Sequence, residues 1–123
     1  MRKKIFGRKF SRDTDSRKAL MRSLVRAFVL SGKIRTTKAK GKLLQREIDK
    51  LMNLVAKNTL NSRRLVMART GNDKDVTRRL FEDFLELAKS RVSGFTKLVN
   101  LSPRKGDMAK MVRLEWVEKK VKK

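Results

Sequence analysis

From residue 13 onward the apolar residues fall into blocks, and each change in their period marks a change of element. Asp13, Thr14, Asp15 and Ser16 offer N-cap side chains, and Leu20, Leu24, Ala27 and Phe28 then recur at i, i+4, i+7 and i+8. That is the spacing of a helix with one buried face. Gly32 is placed to close it, because helices end readily on a residue that tolerates positive φ. The stretch from Lys33 to Thr37 is a short β-type segment. Thr37 can cap a second helix running to about Lys57, with Leu44, Ile48, Leu51 and Val55 inward. Asn61 or Ser62 opens a short third helix through Ala68, closed by Gly71 and Asn72. Asp73 or Asp75 caps a fourth, in which Val76, Leu80, Phe84, Leu87 and Ala88 share a face that Phe81 and Leu85 widen.

After Gly94 the period becomes alternating. Phe95, Val99 and Leu101 lie on one side of one run, and Val112, Leu114 and Trp116 on one side of a second. Between them Ser102 to Asp107 has turn chemistry, with Pro103 fixing φ and Gly106 free to take positive φ, so the two runs read as an antiparallel hairpin. A chain of 123 residues suits one core. The expected organisation is a basic arm over residues 1–12, one α+β domain over 13–118 with helices packed on one face of a small sheet, and a basic tail over 119–123.

Charge changes the picture from fold to partner. Thirty-five Lys and Arg face 12 Asp and Glu with no His, a formal net charge of +23 at pH 7. Self-repulsion on that scale opposes compaction unless a polyanion neutralises it, and nucleic acid is the common cellular polyanion. Wholesale disorder does not fit, since 39% of the chain is apolar and falls in periodic blocks. Without Cys, disulfides, thiol catalysis and Cys-based metal centres are excluded. Arg26 interrupts the longest apolar run, Leu24 to Leu30, so a soluble chain without membrane spans is expected. The N-terminus opens like a secretory n-region, but no apolar h-region follows.

The cations cluster in ways that suggest phosphate contact. Arg2, Lys3, Lys4, Arg8, Lys9 and Arg12 form an acid-free arm expected to order on RNA. Lys18, Arg22 and Arg26 stack four apart on the first helix, away from its apolar face. An ordinary solvated face would intersperse acids, so phosphate contact is the preferred reading. Lys42, Arg46, Lys50 and Lys57 lie largely opposite the second helix's apolar side, Arg63 and Arg64 sit on the third helix, and Arg104 and Lys105 project from the hairpin turn. Glu82, Asp83 and Glu86 are the one concentration of acid. With Arg78, Arg79 and Lys89 three or four residues away, they read as intrahelical ion pairs rather than as a metal or acid–base site. Trp116 could stack on a base, but its phase with Val112 and Leu114 favours core packing.

The chain has no His, Cys or Tyr, and no phosphate-binding loop, nucleophile elbow or dinucleotide-binding glycine pattern, so it is read as a non-enzyme with no cofactor, metal or small-molecule substrate. Several blocks in order carry a resemblance: Gly7-Arg8-Lys9-Phe10, Arg17-Lys18-Ala19-Leu20, Ile34 to Lys40 including Arg35 and Lys38, Gly94-Phe95-Thr96-Lys97, and Arg104 to Ala109. Together they make the chain similar to the bacterial large-subunit ribosomal protein seventeen family, from about residue 2 to Trp116. Departures fall at Ser16, at Ser93 to Thr96 and at Lys110, and suggest a divergent lineage rather than a different function. The resemblance implies about four helices on a small three-stranded mixed sheet. It also implies a structural role in translation, binding large-subunit (23S) ribosomal RNA beside neighbouring ribosomal proteins near the nascent-chain exit. Arg17, Arg35, Lys38, Lys40, Arg91, Lys97, Lys110 and Arg113 complete the set of expected RNA ligands. Because the family's first motif begins within 10 residues of Met1, a bacterial cytoplasmic protein is expected rather than one with an organellar transit peptide. The rival reading is a nucleoid-associated DNA-binding protein, which needs a recognition helix or minor-groove arm. A membrane-active amphipathic protein would have to expose apolar helix faces that four helices and a hairpin can bury against one another.

Overall fold

α-Helices begin most readily where a side chain can accept from their first free N–H groups, and a computed structural model, which describes residues 7–118, shows such caps on three of the helices. α1 (Thr14–Ser31) is capped by Asp13, which accepts from the Ser16 N–H at 3.2 Å, and ends on Gly32 at φ 80°, whose N–H donates to the Phe28 carbonyl. β1 (Lys33–Thr37) leads straight into α2 (Lys38–Lys57). α3 (Leu60–Thr70) opens with a reciprocal capping box: the Thr59 hydroxyl accepts from the Ser62 N–H and the Ser62 hydroxyl from the Thr59 N–H. α4 (Lys74–Asp83) is capped by Asp73, α5 (Leu85–Ser90) follows, and β2 (Thr96–Asn100) and β3 (Met111–Trp116) complete the chain order.

The α+β class stands, with five helices among the described residues rather than about four. The sheet order is β1-β3-β2, and both neighbours run antiparallel to β3, so the sheet is antiparallel throughout rather than mixed. β1 and β2 point the same way, but β3 lies between them and they never pair. The expected fourth helix divides at Phe84, whose backbone (φ −115°, ψ 5°) leaves helical geometry. No Gly or Pro marks this break. Its cause is tertiary: the Phe84 ring stacks on Trp116 at 4.2 Å, and Trp116 stacks in turn on Phe28 at 4.7 Å. Trp116 is therefore core, as its phase indicated.

Three finer expectations are corrected. The buried side of α1 is Val25, Phe28 and Val29 with Met21 and Leu24 against it, whereas Ala27 is exposed. α3 begins earlier than Asn61, because Thr59 supplies the cap. The inward phase of β2 is Thr96 and Leu98, not Val99 and Leu101. Phe95 is fully buried, but it precedes the strand and is not on its pleat. Register follows from pairing: Leu98 lies opposite Leu114, and Ile34 lies opposite the same residue on the other side.

The helices cover one face of the sheet. α2 forms the centre, with Leu44, Ile48, Leu51, Met52 and Val55 all essentially inaccessible. At its sheet-facing start Gly41 allows close approach: a Cβ there would lie 2.7 Å from Val112 Cγ2 and 3.1 Å from Leu98 Cδ2. This contact fixes where the first turn of α2, and the cations on it, stand relative to β1 and β3.

Candidate nucleic-acid interface

Three separated stretches of sequence meet at the N-terminal end of α2. The segment around Gly7, Arg8 and Phe10, the first turns of α2, and Ala109 and Lys110 ahead of β3 enclose an open cleft of about 830 Å³. The Lys38 N–H donates to the Lys110 carbonyl at 2.9 Å, which ties two of its walls together. Arg8, Lys38, Lys42, Arg46 and Lys110 line it, with Phe10, Thr37, Ala39 and Leu43 supplying the less polar surface. Among the described residues that line the cleft there is no carboxylate.

The backbone adds to this field. Thr37 caps α2 without a side-chain hydrogen bond, and the first turn holds no acid. A helix N-terminus carries the positive end of the peptide dipoles and unsatisfied N–H groups, so cations placed there repel it unless an anion arrives. Lys38, Lys40 and Lys42 occupy that unfavourable place. All five charged lining residues were expected from sequence to bind RNA; that distant ones share one cleft was not visible there. Thr37, Ala39 and Ala109 fall within the blocks that carry the resemblance, but neither they nor Leu43 are among the expected ligands.

The other expected ligands are distributed elsewhere. Arg2, Lys3 and Lys4, and the tail 119–123, lie outside the described residues. Lys9 and Arg12 are exposed and joined by a turn, the Arg12 N–H donating to the Lys9 carbonyl. The α1 stripe is less free of acid than its sequence suggested. Lys18 pairs with Asp15 at 3.9 Å, and Arg26 pairs with Asp73 and, at 3.9 Å, with Asp75. Burial pushes the Asp73 carboxyl up, but hydrogen bonds from Arg26 and the Val76 N–H outweigh it and hold the group below its ordinary value. Arg22 lies over Gly71, Arg17 is half-buried and Arg64 exposed, and the Arg63 guanidinium stands 4.8 Å from the Phe81 ring centre. Arg91 pairs with Glu118 at 3.3 Å.

In the hairpin loop Arg104 grips Asp107 through two contacts of 3.0 and 2.6 Å. That bond and a hydrogen bond from the Ala109 N–H lower the Asp107 carboxyl to about 2. Arg104 thus shapes the loop and Lys105 is its projecting cation. Arg35, Lys97 and Arg113 lie on the sheet face turned away from the helices.

Of the acids on α4 and α5, Asp83 pairs with Arg79 at 3.2 Å, while Arg78 reaches Asp75 at 3.8 Å. Among the described residues no three His, Cys, Asp or Glu side chains stand together as metal ligands, and no helix is long and apolar enough to cross a membrane.

A family model for ribosomal protein L17 matches residues 20–117. The chain belongs to the ribosomal protein L17 family. Among its relatives, a large ribosomal subunit protein bL17 from Natranaerobius thermophilus is 41% identical over 90% of this chain and 97% of its own length. The protein of the same name from Rubrobacter xylanophilus is 36% identical over 94% of each. That from Desulfovibrio desulfuricans is 39% identical over 94% of this chain and 68% of its own. The L17 match begins at residue 20, so Arg8, on one wall of the cleft, precedes it, whereas Lys38, Lys42, Arg46 and Lys110 fall within it.

Proposed function

We propose that this L17-family protein grips large-subunit ribosomal RNA through the cleft at the start of α2. It acts as a structural constituent of the bacterial large ribosomal subunit in translation, on the cytoplasmic ribosome. The observation that carries the reading is the convergence of Arg8, Lys38, Lys42, Arg46 and Lys110 around one acid-free cleft at a helix N-terminus. Cations fixed on a packed helix and a sheet end meet phosphates without the ordering cost of a free chain. Such contacts position the protein on RNA and carry little base information. The arm at residues 1–12 and the Lys105 loop extend the same grip, and neighbouring ribosomal proteins near the nascent-chain exit complete the site.

The nucleoid alternative needs an element that can enter a duplex groove. α3 and α4 are joined through Gly71, Asn72 and Asp73 in the manner of two helices and a turn. Yet the accessible side of α4 mixes Lys74, Arg78 and Arg79 with Asp75, Glu82 and Asp83, and Arg78 and Arg79 are engaged by Asp75 and Asp83, so it offers no net positive charge to phosphate. That balanced side is a poorer match to phosphate than the cleft at the start of α2, whose described lining holds cations and no acid.

The experiment is equilibrium binding of the full chain to a large-subunit ribosomal RNA transcript, with Lys38→Gln, Lys42→Gln and Lys110→Gln combined. Loss of about three phosphate contacts should flatten the dependence of log K on log salt by about 2 to 3. An unchanged slope with intact helical content would refute the cleft's role.

A further inference from the structure

The sheet has a second face, and nothing described so far covers it. Helices take up the side bearing Ile34, Thr36, Leu98, Val112, Leu114 and Trp116. Alternation puts Lys33 and Arg35 of β1, Lys97 of β2, and Arg113 and Glu115 of β3 on the other side. The register sorts them into rows: Lys33, Glu115 and Lys97 across one, Arg35, Arg113 and Val99 across the next.

That arrangement is costly for an isolated protein. Arg35 stands directly opposite Arg113, and like charges in that position destabilise a strand pair. The face has one acid to offset four cations. Glu115 is already shared by Lys97 at 3.1 Å and Arg113 at 3.2 Å, which hold its carboxyl below the ordinary value. Neither Lys33 nor Arg35 has a carboxylate partner among the described residues. No aromatic side chain lies in these rows, so the face offers no platform for stacked bases and suits phosphates instead. It is also continuous with the cleft, because Thr37 ends β1 and Lys38 opens α2 on the cleft wall and Lys110 immediately precedes β3.

The geometry points to a second RNA contact: the outer face of the sheet seats the phosphodiester backbone of RNA leaving the cleft, with a phosphate between Arg35 and Arg113 and Lys33 and Lys97 flanking it. This inference rests on the ribosomal RNA reading of the cleft. It extends that reading to a separate surface and to Lys33, which sequence reasoning had not included.

The test measures retention of a large-subunit ribosomal RNA transcript by the full chain between 50 and 200 mM salt. It compares Lys33→Gln with Arg35→Gln, Lys38→Gln with Lys42→Gln, and the four combined. Each phosphate contact contributes about 0.7 to 0.9 to the salt slope, so each pair should flatten it by about 1.5 and the four by about twice that. Arg35→Lys should keep the slope, because a phosphate contact needs the charge. Removing one of two opposed cations leaves the core untouched, and circular dichroism checks the fold. If the cleft pair weakens binding and the sheet pair does not, the second contact is overturned while the first stands. If neither pair changes the slope, both readings fall. If the sheet pair binds RNA normally but no longer enters large subunits, the face belongs to a protein partner and the inference is wrong.

Discussion

Asp73 performs two tasks with one carboxylate. It accepts from the Val76 N–H to start α4, and it pairs with Arg26 on α1, so one residue both caps a helix and fixes its position against another. The two tasks separate by substitution. Asp73→Asn keeps a capping oxygen and loses the ion pair, which at a partly exposed site is worth about 0.2 to 1 kcal/mol. Asp73→Ala loses both, a total of about 1 to 3 kcal/mol. Urea unfolding should rank wild type above Asn above Ala, and equal midpoints for the two variants would show that the cap contributes nothing. Asp107 gives a pH-dependent counterpart. Its folded value of about 2 lies below the ordinary 3.8, so the stabilisation it lends the hairpin loop is complete above about 4 and is lost as pH falls towards 2. The Ala109 amide, which donates to Asp107 at 3.1 Å, reports this directly by NMR. A titration midpoint near 2 is expected, and one near 3.8 would mean that the Arg104 grip is absent in solution.

Among the elements, α2 organises the rest. It presents its apolar side to the other helices and the sheet while its first turn faces the cleft. Gly41→Ala tests that placement. The added methyl gains about 1 kcal/mol in helix propensity, but it meets a β-branched Val112 held in the central strand, and overpacking costs about 1 to 3 kcal/mol. A net fall in urea midpoint with unchanged m-value is expected, and a rise would place α2 further from the sheet. Much of this element structure was legible in the sequence. β1 and α2 fall where the Lys33 to Lys57 pattern places them, because a strong apolar period follows an extended segment. The hairpin partner of β3 was legible only in part. Phe95 belongs to the core without belonging to the strand, and counting it set the β2 phase one residue out. The break at Phe84 had no local signal, since its cause is a ring from a strand more than thirty residues away. The candidate site was legible as residue types and not as a place. Cations at Arg8, Lys42 and Lys110 can be read individually, but the backbone bond between Lys38 and Lys110 that gathers them depends on sheet pairing.

For the molecule as a whole, the decisive quantity is a net charge of +23 on 123 residues. The ion pairs at Asp73, Asp107 and Glu115 bind a few cations into the fold, Lys97 and Arg113 of the outer sheet face among them, while Lys33 and Arg35 on that face and Lys38, Lys42 and Lys110 in the cleft stand in acid-poor settings. A polyanion meeting both surfaces relieves the repulsion that the chain bears alone. Sedimentation of a bacterial extract through sucrose, at low and then raised salt, tests this account most directly. The chain should travel with the large ribosomal subunit at low salt and be released as salt increases, with release at lower salt when the cleft lysines are replaced. A chain that stays at the top of the gradient at low salt, or travels with DNA, would contradict it.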